Sequence, residues 1–509
     1  MLIQILLVFI VVWMFVLRWQ KRNMVELSQK IPMTKYRSLP LIGHAYIFFG
    51  SDEDRMEMFQ KLGREAIEDD EGITSLWQGQ KLYIVSADVK VSELILKSCL
   101  EKDDALKCLQ MLTGNGSVFA PVKIWRPRRK VLAPTFSPRN LSQFVEIFSR
   151  QSSIMAEQLQ SAAGTGAFSI WNYITTYTMD SVCESTLGVA VNSQKQVEQP
   201  FLKRFELHTQ LDSARLVQPW FHNEAVYKIT PIYKKHAKCR DYICEFVDQI
   251  IKKKRQSIAD EKEAMVESDQ DLKQDKEGLK TFLELLIETS GGNRGYTNIE
   301  LREETLVLVL AGTDTSAVGA AFTSVLLSRH PDIQAKVYQE LQEVFGDSDR
   351  PIVADDLPRL KYLDAVIRET LRLYPSVPII ARKIDKEITL PSGVTLVKGC
   401  GAVIHIWAIH RNPRYWGEDA EEFRPERFLD STLKYPAAFM AFSHGPRACI
   451  GYQYAMMSMK TAMAALLRQY KILPATDTYD MDKPLRLKFD VMMRDVHHFT
   501  VQLEPRRKA

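Results

Sequence analysis

Residues 442–451 read Phe442-Ser443-His444-Gly445-Pro446-Arg447-Ala448-Cys449-Ile450-Gly451 and put one cysteine in a loop shaped by two glycines and a proline. An aromatic residue stands seven positions before the sulfur, an arginine two before it, and glycines four before and two after. Glycine adopts backbone angles closed to other residues, so a loop carrying Gly445 and Gly451 can turn tightly and lie flat against a planar ligand. Pro446 limits its freedom. The apolar, helix-forming run from Ala455 to Leu467 predicts a helix that starts just beyond the sulfur. Unpaired N–H groups at a helix start favour an anion, so Cys449 is expected as a thiolate, the form that ligates metals. The competing reading is an inert, buried structural cysteine.

A second group lies in Ala311-Gly312-Thr313-Asp314-Thr315-Ser316. Ala311 and Thr315 are four apart and share a helix face. A mid-helix threonine can turn its hydroxyl to the carbonyl four residues earlier and loosen the ladder, and Gly312 removes bulk at the same place. The expected product is a shallow groove with a hydroxyl and a carboxylate beside it. A helix-packing site of small residues is the alternative. A third group, Glu369-Thr370-Leu371-Arg372, sets a carboxylate and a guanidinium three apart. Surface pairs of this kind contribute little. If buried, neither member can satisfy the other completely, so further partners are expected.

The elements that must position these residues can be read in outline. The chain has 509 residues, long enough by itself for about three domains, and 46% of them are hydrophobic, so a large core is possible. A net charge of +4 does not argue for nucleic-acid binding. Seven scattered cysteines form no disulfide framework and no zinc-type pairing. Leu2 to Leu17 carries no charge, and Arg18, Lys21 and Arg22 follow it. That order is the reverse of a cleaved signal peptide and predicts an uncleaved anchor over residues 1–20, with the following chain on the cytoplasmic side. Residues 21–50, basic and proline-containing, read as a stiff lead-in to a folded body over 51–509. Residues 75–97 predict strands, Leu82 to Ser86 among them. From about 140 to 255 helical periodicity dominates. Lys252 to Gly278 reads as a solvent-exposed loop or frayed helix ends. Phe282 to Ile287 starts a short helix that Gly291 to Gly295 breaks. Thr297 or Asn298 can cap the next helix, which runs through the apolar segment Leu306 to Leu327. A helix apolar all round is buried in a core or in a membrane, and Asp314 in its middle argues for the core.

The cysteine loop resembles the haem-binding signature F-x-x-G-x-R-x-C-x-G of the cytochrome P-450 haem-thiolate monooxygenases, with Phe442, Gly445, Arg447, Cys449 and Gly451 at its fixed positions. Residues 311–316 resemble that family's A-G-x-[DE]-T-[TS] motif, and the resemblance is closest to the fatty-acid ω-hydroxylase group and its insect relatives. It implies a mainly α fold with a small β-rich lobe, a single catalytic domain and haem b on the Cys449 sulfur. Thr315 and Asp314 would serve oxygen binding and proton relay, beside Ala311 and Gly312 at the haem. Glu369, Arg372 and Arg427 (from Pro425-Glu426-Arg427-Phe428) would lock together as structural residues. Trp125 and Arg129, matching W-x-x-x-R, with Arg382 and Arg447, would contact the haem propionates. Pro127 inside that segment predicts that its helix begins late, near Trp125. The run Arg126 to Lys130 otherwise reads as a solvated basic face. Many of the group carry a glutamate, able to esterify haem, where this chain has Ala311, so haem is expected without that bond.

The resemblance further implies a single-pass protein of the endoplasmic reticulum membrane, in contact with lipid and acting on a small lipophilic substrate. Electrons would come from NADPH through NADPH-cytochrome P-450 reductase, with cytochrome b5 as an optional second donor. No glycine-rich phosphate loop is placed between strand and helix, so NADPH is expected on the reductase and not on this chain. A haem-thiolate isomerase or dehydratase of lipid peroxides is the alternative enzyme, and a non-catalytic haem protein the alternative outside catalysis.

Overall fold

The computed structural model describes residues 4, 12, 16, 19–196, 199–267, 281–288, 296–429 and 434–506. The apolar run 2–17 lies almost wholly outside them, as do the break at 291–295 and the charged run beyond Glu267. Helices of seven or more residues are α1 Arg22–Ser28, α2 Asp52–Glu68, α3 Val89–Ser98, α4 Val122–Leu132, α5 Pro138–Leu159, α6 Trp171–Leu187, α7 Pro200–Val217, α8 Pro231–Glu267, α9 Phe282–Glu288, α10 Asn298–Arg329, α11 Pro331–Phe345, α12 Lys361–Leu373 and α13 Tyr452–Gln469. The charged stretch from Lys252 is thus helical as far as Glu267.

The centre of the molecule is α10. Thr297 caps it: its hydroxyl accepts from the Glu300 N–H at 3.2 Å, and the Glu300 carboxylate accepts from the Thr297 N–H at 2.9 Å, so two otherwise unpaired donors are satisfied reciprocally. Its apolar stretch is long enough to cross a membrane, but 78% of that stretch is buried by protein, which makes it a core helix. It packs with α5, α6, α12 and α13 in one large apolar cluster, while α7, α8 and α9 close a second around its N-terminal half.

A sheet ordered β1 (Ile73–Gln78), β2 (Lys81–Ser86), β4 (Gly401–Ile404) and β3 (Ile380–Lys383) forms the small lobe. Pairs β1–β2 and β3–β4 are antiparallel and β2–β4 is parallel. Residues 21–50 lie on this lobe: Met24, Leu27 and Ile31 join its core, and the Thr34 N–H donates to the Ser75 carbonyl at 2.9 Å. Small antiparallel pairs close the C-terminal side, β5 (Leu487–Asp490) with β6 (Met492–Asp495) among them.

Two expectations need correction. Residues 89–98 form α3 and not a strand. Asp88 caps it by accepting from the Val91 N–H at 2.8 Å, and Val89, Ser92, Ile95 and Leu96 bury one helical face, so packing overrides the β-propensity of a valine-rich segment. Nor does α4 begin near Trp125. It starts at Val122, where the Glu101 carboxylate accepts from the Val122 N–H and the Pro121 carbonyl from Trp125. Pro127 sits inside the helix, which keeps its course because Trp125, Arg128 and Leu132 are anchored in the protein.

Candidate functional site

The Cys449 loop is closed by its own backbone. Cys449 N–H donates to the Phe442 carbonyl at 2.9 Å and Ala448 N–H to Gly445 at 2.9 Å. Ser443 and Gly445 take the left-handed conformation, at φ 63° and 75°. A Cβ at Gly445 would lie 3.0 Å from the Leu96 carbonyl oxygen of α3. Expected beside the cofactor, Gly445 instead forms the back of the loop and does not line the cavity. Gly451 does line it; a Cβ there would stand 4.0 Å from the Cys449 sulfur. Helix α13 begins at the next residue. The sulfur is surrounded by protein, yet its free surface faces an internal cavity. Burial raises the thiol pKa, and the Gly451 backbone and Arg129 pull it back down.

That cavity, about 450 Å³ in volume, is apolar over most of its wall. Helix α10 contributes Ala311, Gly312, Thr315 and Ser316. The Thr315 hydroxyl donates to the Ala311 carbonyl at 2.6 Å, and Ser376 donates to the Thr315 carbonyl at 2.8 Å. Ala311 presents only a methyl group to the space. Asp314 points elsewhere. It is buried outside the cavity wall, with Arg494 Nη2 at 2.7 Å from Oδ1. Burial raises its pKa against the pull of Arg494.

Cations converge on the same cavity. Arg447 is buried and lines it with Arg129, Trp125 and Lys102, and Arg382 is buried close to Arg447 and Lys102, outside the wall itself. Among the described residues, the Arg382 side chain donates only to its neighbour's carbonyl, at 3.0 Å, and its Nε has no partner. Arg447 donates to the Ala120 carbonyl at 2.7 Å and lies 4.4 Å over the Trp125 ring; its Nε and Nη1 have none. Burial, together with Arg447 for the first and Arg129 for the second, brings each guanidinium down to about 10. Lys102 is driven well below its usual range by burial and by those two arginines. The basic run of α4 divides: Arg126 and Lys130 are exposed, whereas Arg128 is buried against Glu304 at 2.7 Å and Glu300 at 2.9 Å.

Behind the loop, Glu369 and Arg372 on α12 are fully buried. Arg372 meets both carboxylate oxygens at 2.7 Å and the carbonyls of His410, Ala420 and Glu422 at 2.6–2.9 Å. Arg427 Nε reaches Glu369 at 3.2 Å, and the Arg424 N–H at 2.9 Å. None of the three lines the cavity.

A family model for cytochrome P450 matches residues 34–497. The chain belongs to the cytochrome P450 family. It is similar to cytochrome P450 4V2 of Mus musculus, 32% identical over 93% of this chain and 89% of the relative. Cytochrome P450 4d8 of Drosophila melanogaster is 32% identical over 82% and 91%, and cytochrome P450 4c21 of Blattella germanica 31% over 91% of each. These relatives fall in the ω-hydroxylase group and its insect branch, which the motifs resemble. The P450 is therefore an oxidoreductase of the monooxygenase class whose cofactor is haem with thiolate ligation.

The residues present fit a haem. An apolar cavity joins a lone thiol to a groove of small residues, and the buried donors of Arg382 and Arg447 lack acceptors that two propionates would supply. Sequence reasoning missed Lys102, Glu304 and Arg494. Lys102 lies outside any periodic element, and the other two are recognisable only through partners 176 and 180 residues away.

Proposed function

We propose that this P450 inserts one atom of dioxygen into a C–H bond of a lipophilic substrate. Two electrons come from NADPH through NADPH-cytochrome P-450 reductase, with cytochrome b5 as an optional second donor, and the second oxygen atom leaves as water. Residues 1–20 anchor the chain in the endoplasmic reticulum membrane, 21–50 connect, and 51–509 act on the cytoplasmic side. The observation that carries this reading is one apolar cavity shared by Cys449, by the Ala311–Thr315 groove and by cations without acceptors.

Haem, when bound, supplies dioxygen activation, helped by electron density from the thiolate. The chain supplies the rest. Cys449 would ligate the haem iron through its sulfur. Arg382, Arg447 and Arg129 would hold the propionates, with Trp125 packed beneath Arg447. Apolar residues such as Phe119, Leu216, Ile380 and Phe489 exclude water and take the substrate. Thr315 would hold a proton-bearing water by turning its hydroxyl from the Ala311 carbonyl. Asp314 joins the relay by exchanging its contact with Arg494. Haem is not ester-linked at Ala311, which has no carboxylate to offer.

Reconstitution with reductase, NADPH and a panel of lipids tests the proposal. A mono-oxygenated product that requires NADPH and dioxygen is expected. So are a thiolate-type absorption band in the reduced, CO-bound protein and release of unmodified haem by acid–solvent extraction. Cys449→Ser removes both band and product. Conversion of a lipid hydroperoxide without NADPH, in place of oxygenation, would establish the isomerase instead.

A further inference from the structure

Helices α7 and α8 enclose a second group of side chains that the monooxygenase chemistry does not use. His208 and Asp212 are four apart on α7 and share a face, and His236 comes from the start of α8. All three are buried, the imidazoles completely. Their ligand atoms converge within 4.8 Å of one another. His208 Nδ1 lies 3.2 Å from His236 Nε2 and 3.0 Å from Asp212 Oδ2, and His236 Nε2 lies 3.4 Å from Asp212 Oδ1. Three ligands held about 2.0–2.1 Å from a tetrahedral ion stand about 3.3 Å apart. The two imidazole nitrogens stand near that spacing, and each stands near it from one Asp212 oxygen, Oδ2 for His208 and Oδ1 for His236, so a turn of the carboxylate that brings one oxygen to both completes the triangle.

Hydrogen bonding alone serves this arrangement poorly. Two ring nitrogens face each other and the same carboxylate, and Asp212 Oδ1 has no hydrogen-bond partner among the described residues although Asp212 is only 5% exposed. An unpaired buried carboxylate oxygen is costly. An outer contact of the kind a ligand set uses is present on His236, while His208 Nε2 has no partner among the described residues. The Tyr227 hydroxyl lies 2.8 Å from His236 Nδ1, which fixes the ring with Nε2 turned to the centre, as outer partners of metal-bound histidines do. The neighbouring cation, Arg215, is already paired with Glu224. A separate polar pocket between residues 104–111 and α8 reaches Cys108 and Tyr233, and the Tyr233 ring packs 5.8 Å from that of Tyr227. Solvent ions therefore come within one aromatic layer of the cluster.

We propose that His208, Asp212 and His236 bind one zinc ion between α7 and α8, with the fourth position left for water. Two imidazoles and one carboxylate in a tetrahedral array suit this ion. Because α7 ends in Leu216 and Val217 on the wall of the haem cavity, the ion would clamp the element that closes that space.

The test uses the full-length, haem-loaded, tag-free chain produced with zinc in the medium and passed through chelator-treated buffer. Elemental analysis is expected to give about one zinc per haem iron. That ratio should fall at least about tenfold in Asp212→Asn and in His236→Gln, with haem content unchanged. Zinc-edge X-ray absorption should show two imidazole ligands, which keeps the proposal testable if a variant folds badly. Added zinc should raise the melting temperature of zinc-depleted wild type and leave Asp212→Asn unmoved. A zinc-to-iron ratio below about one tenth with no thermal response, or zinc that persists unchanged in both variants, would overturn it.

Discussion

Arg372 and Arg382 are both buried guanidiniums, at 0% and 1% exposure, and the fold provides for them in opposite ways. Every nitrogen of Arg372 has an acceptor: two oxygens of Glu369 and three backbone carbonyls. Arg382 has one carbonyl, an orphaned Nε, and two more cations, Arg447 and Lys102, for company. A buried charge needs a full complement of partners. Arg372 finds it within the chain, so it belongs to the scaffold. Arg382 does not find it among the described residues, which leaves it open to an acceptor from outside the chain.

The contrast is broken or sharpened most strongly at Arg372. Truncation to Ala leaves Glu369 buried with only Arg427 and the Arg424 N–H and strands three carbonyls. The expected cost is about 3–5 kcal/mol, read as loss of soluble, haem-loaded chain on expression and of any cooperative denaturant transition in what remains. Arg382→Met should behave differently. In the haem-free chain it removes a buried charge without partners, so stability to denaturant should hold or rise. In the loaded protein it removes charge-assisted hydrogen bonds worth about 1.5–3 kcal/mol, and transfer of haem to an acceptor protein should speed up about 10–100-fold. Equal destabilisation of the haem-free chain by both substitutions would erase the distinction.

Sequence spacing marked the saturated region and the cavity unequally. Glu369 and Arg372 are three apart, and the helix period alone brings them together. Arg372's other acceptors come from carbonyls 38–50 residues away, which no side-chain pattern records. The Cys449 loop was legible because its glycines, proline and following helix are local. Asp314 was not. Its motif sets it beside Thr315, but successive helix positions face about 100° apart, and its partner, Arg494, comes from β6. Strand-like composition misled at 89–98, where Asp88 and a buried helical face decide. Pro127 misled because its cost in α4 is met by anchoring on either side of it.

A third buried guanidinium stands between these extremes. Arg494 faces two carboxylates, Asp314 at 2.7 Å and Asp490 at 2.9 Å, so this group carries one negative charge too many where the cavity carries positive charges too many. Burial raises Asp490 to about 7; Arg494 opposes the rise and Asp314 adds to it. A carboxyl raised in the folded state binds a proton that the unfolded chain, titrating near 3.9, has already lost. Stability is then greatest at low pH within that window and declines as pH climbs from about 4 through 7. Asp490→Asn cannot titrate and leaves Arg494 paired with Asp314. Relative to this variant, wild type should lose on the order of 1–2 kcal/mol between pH 5 and 8, measured by denaturant unfolding at fixed ionic strength. Parallel pH profiles would mean that the two carboxylates share Arg494 without competing. Asp314 would then be no freer to leave for the Thr315 groove when Asp490 is charged than when it is neutral.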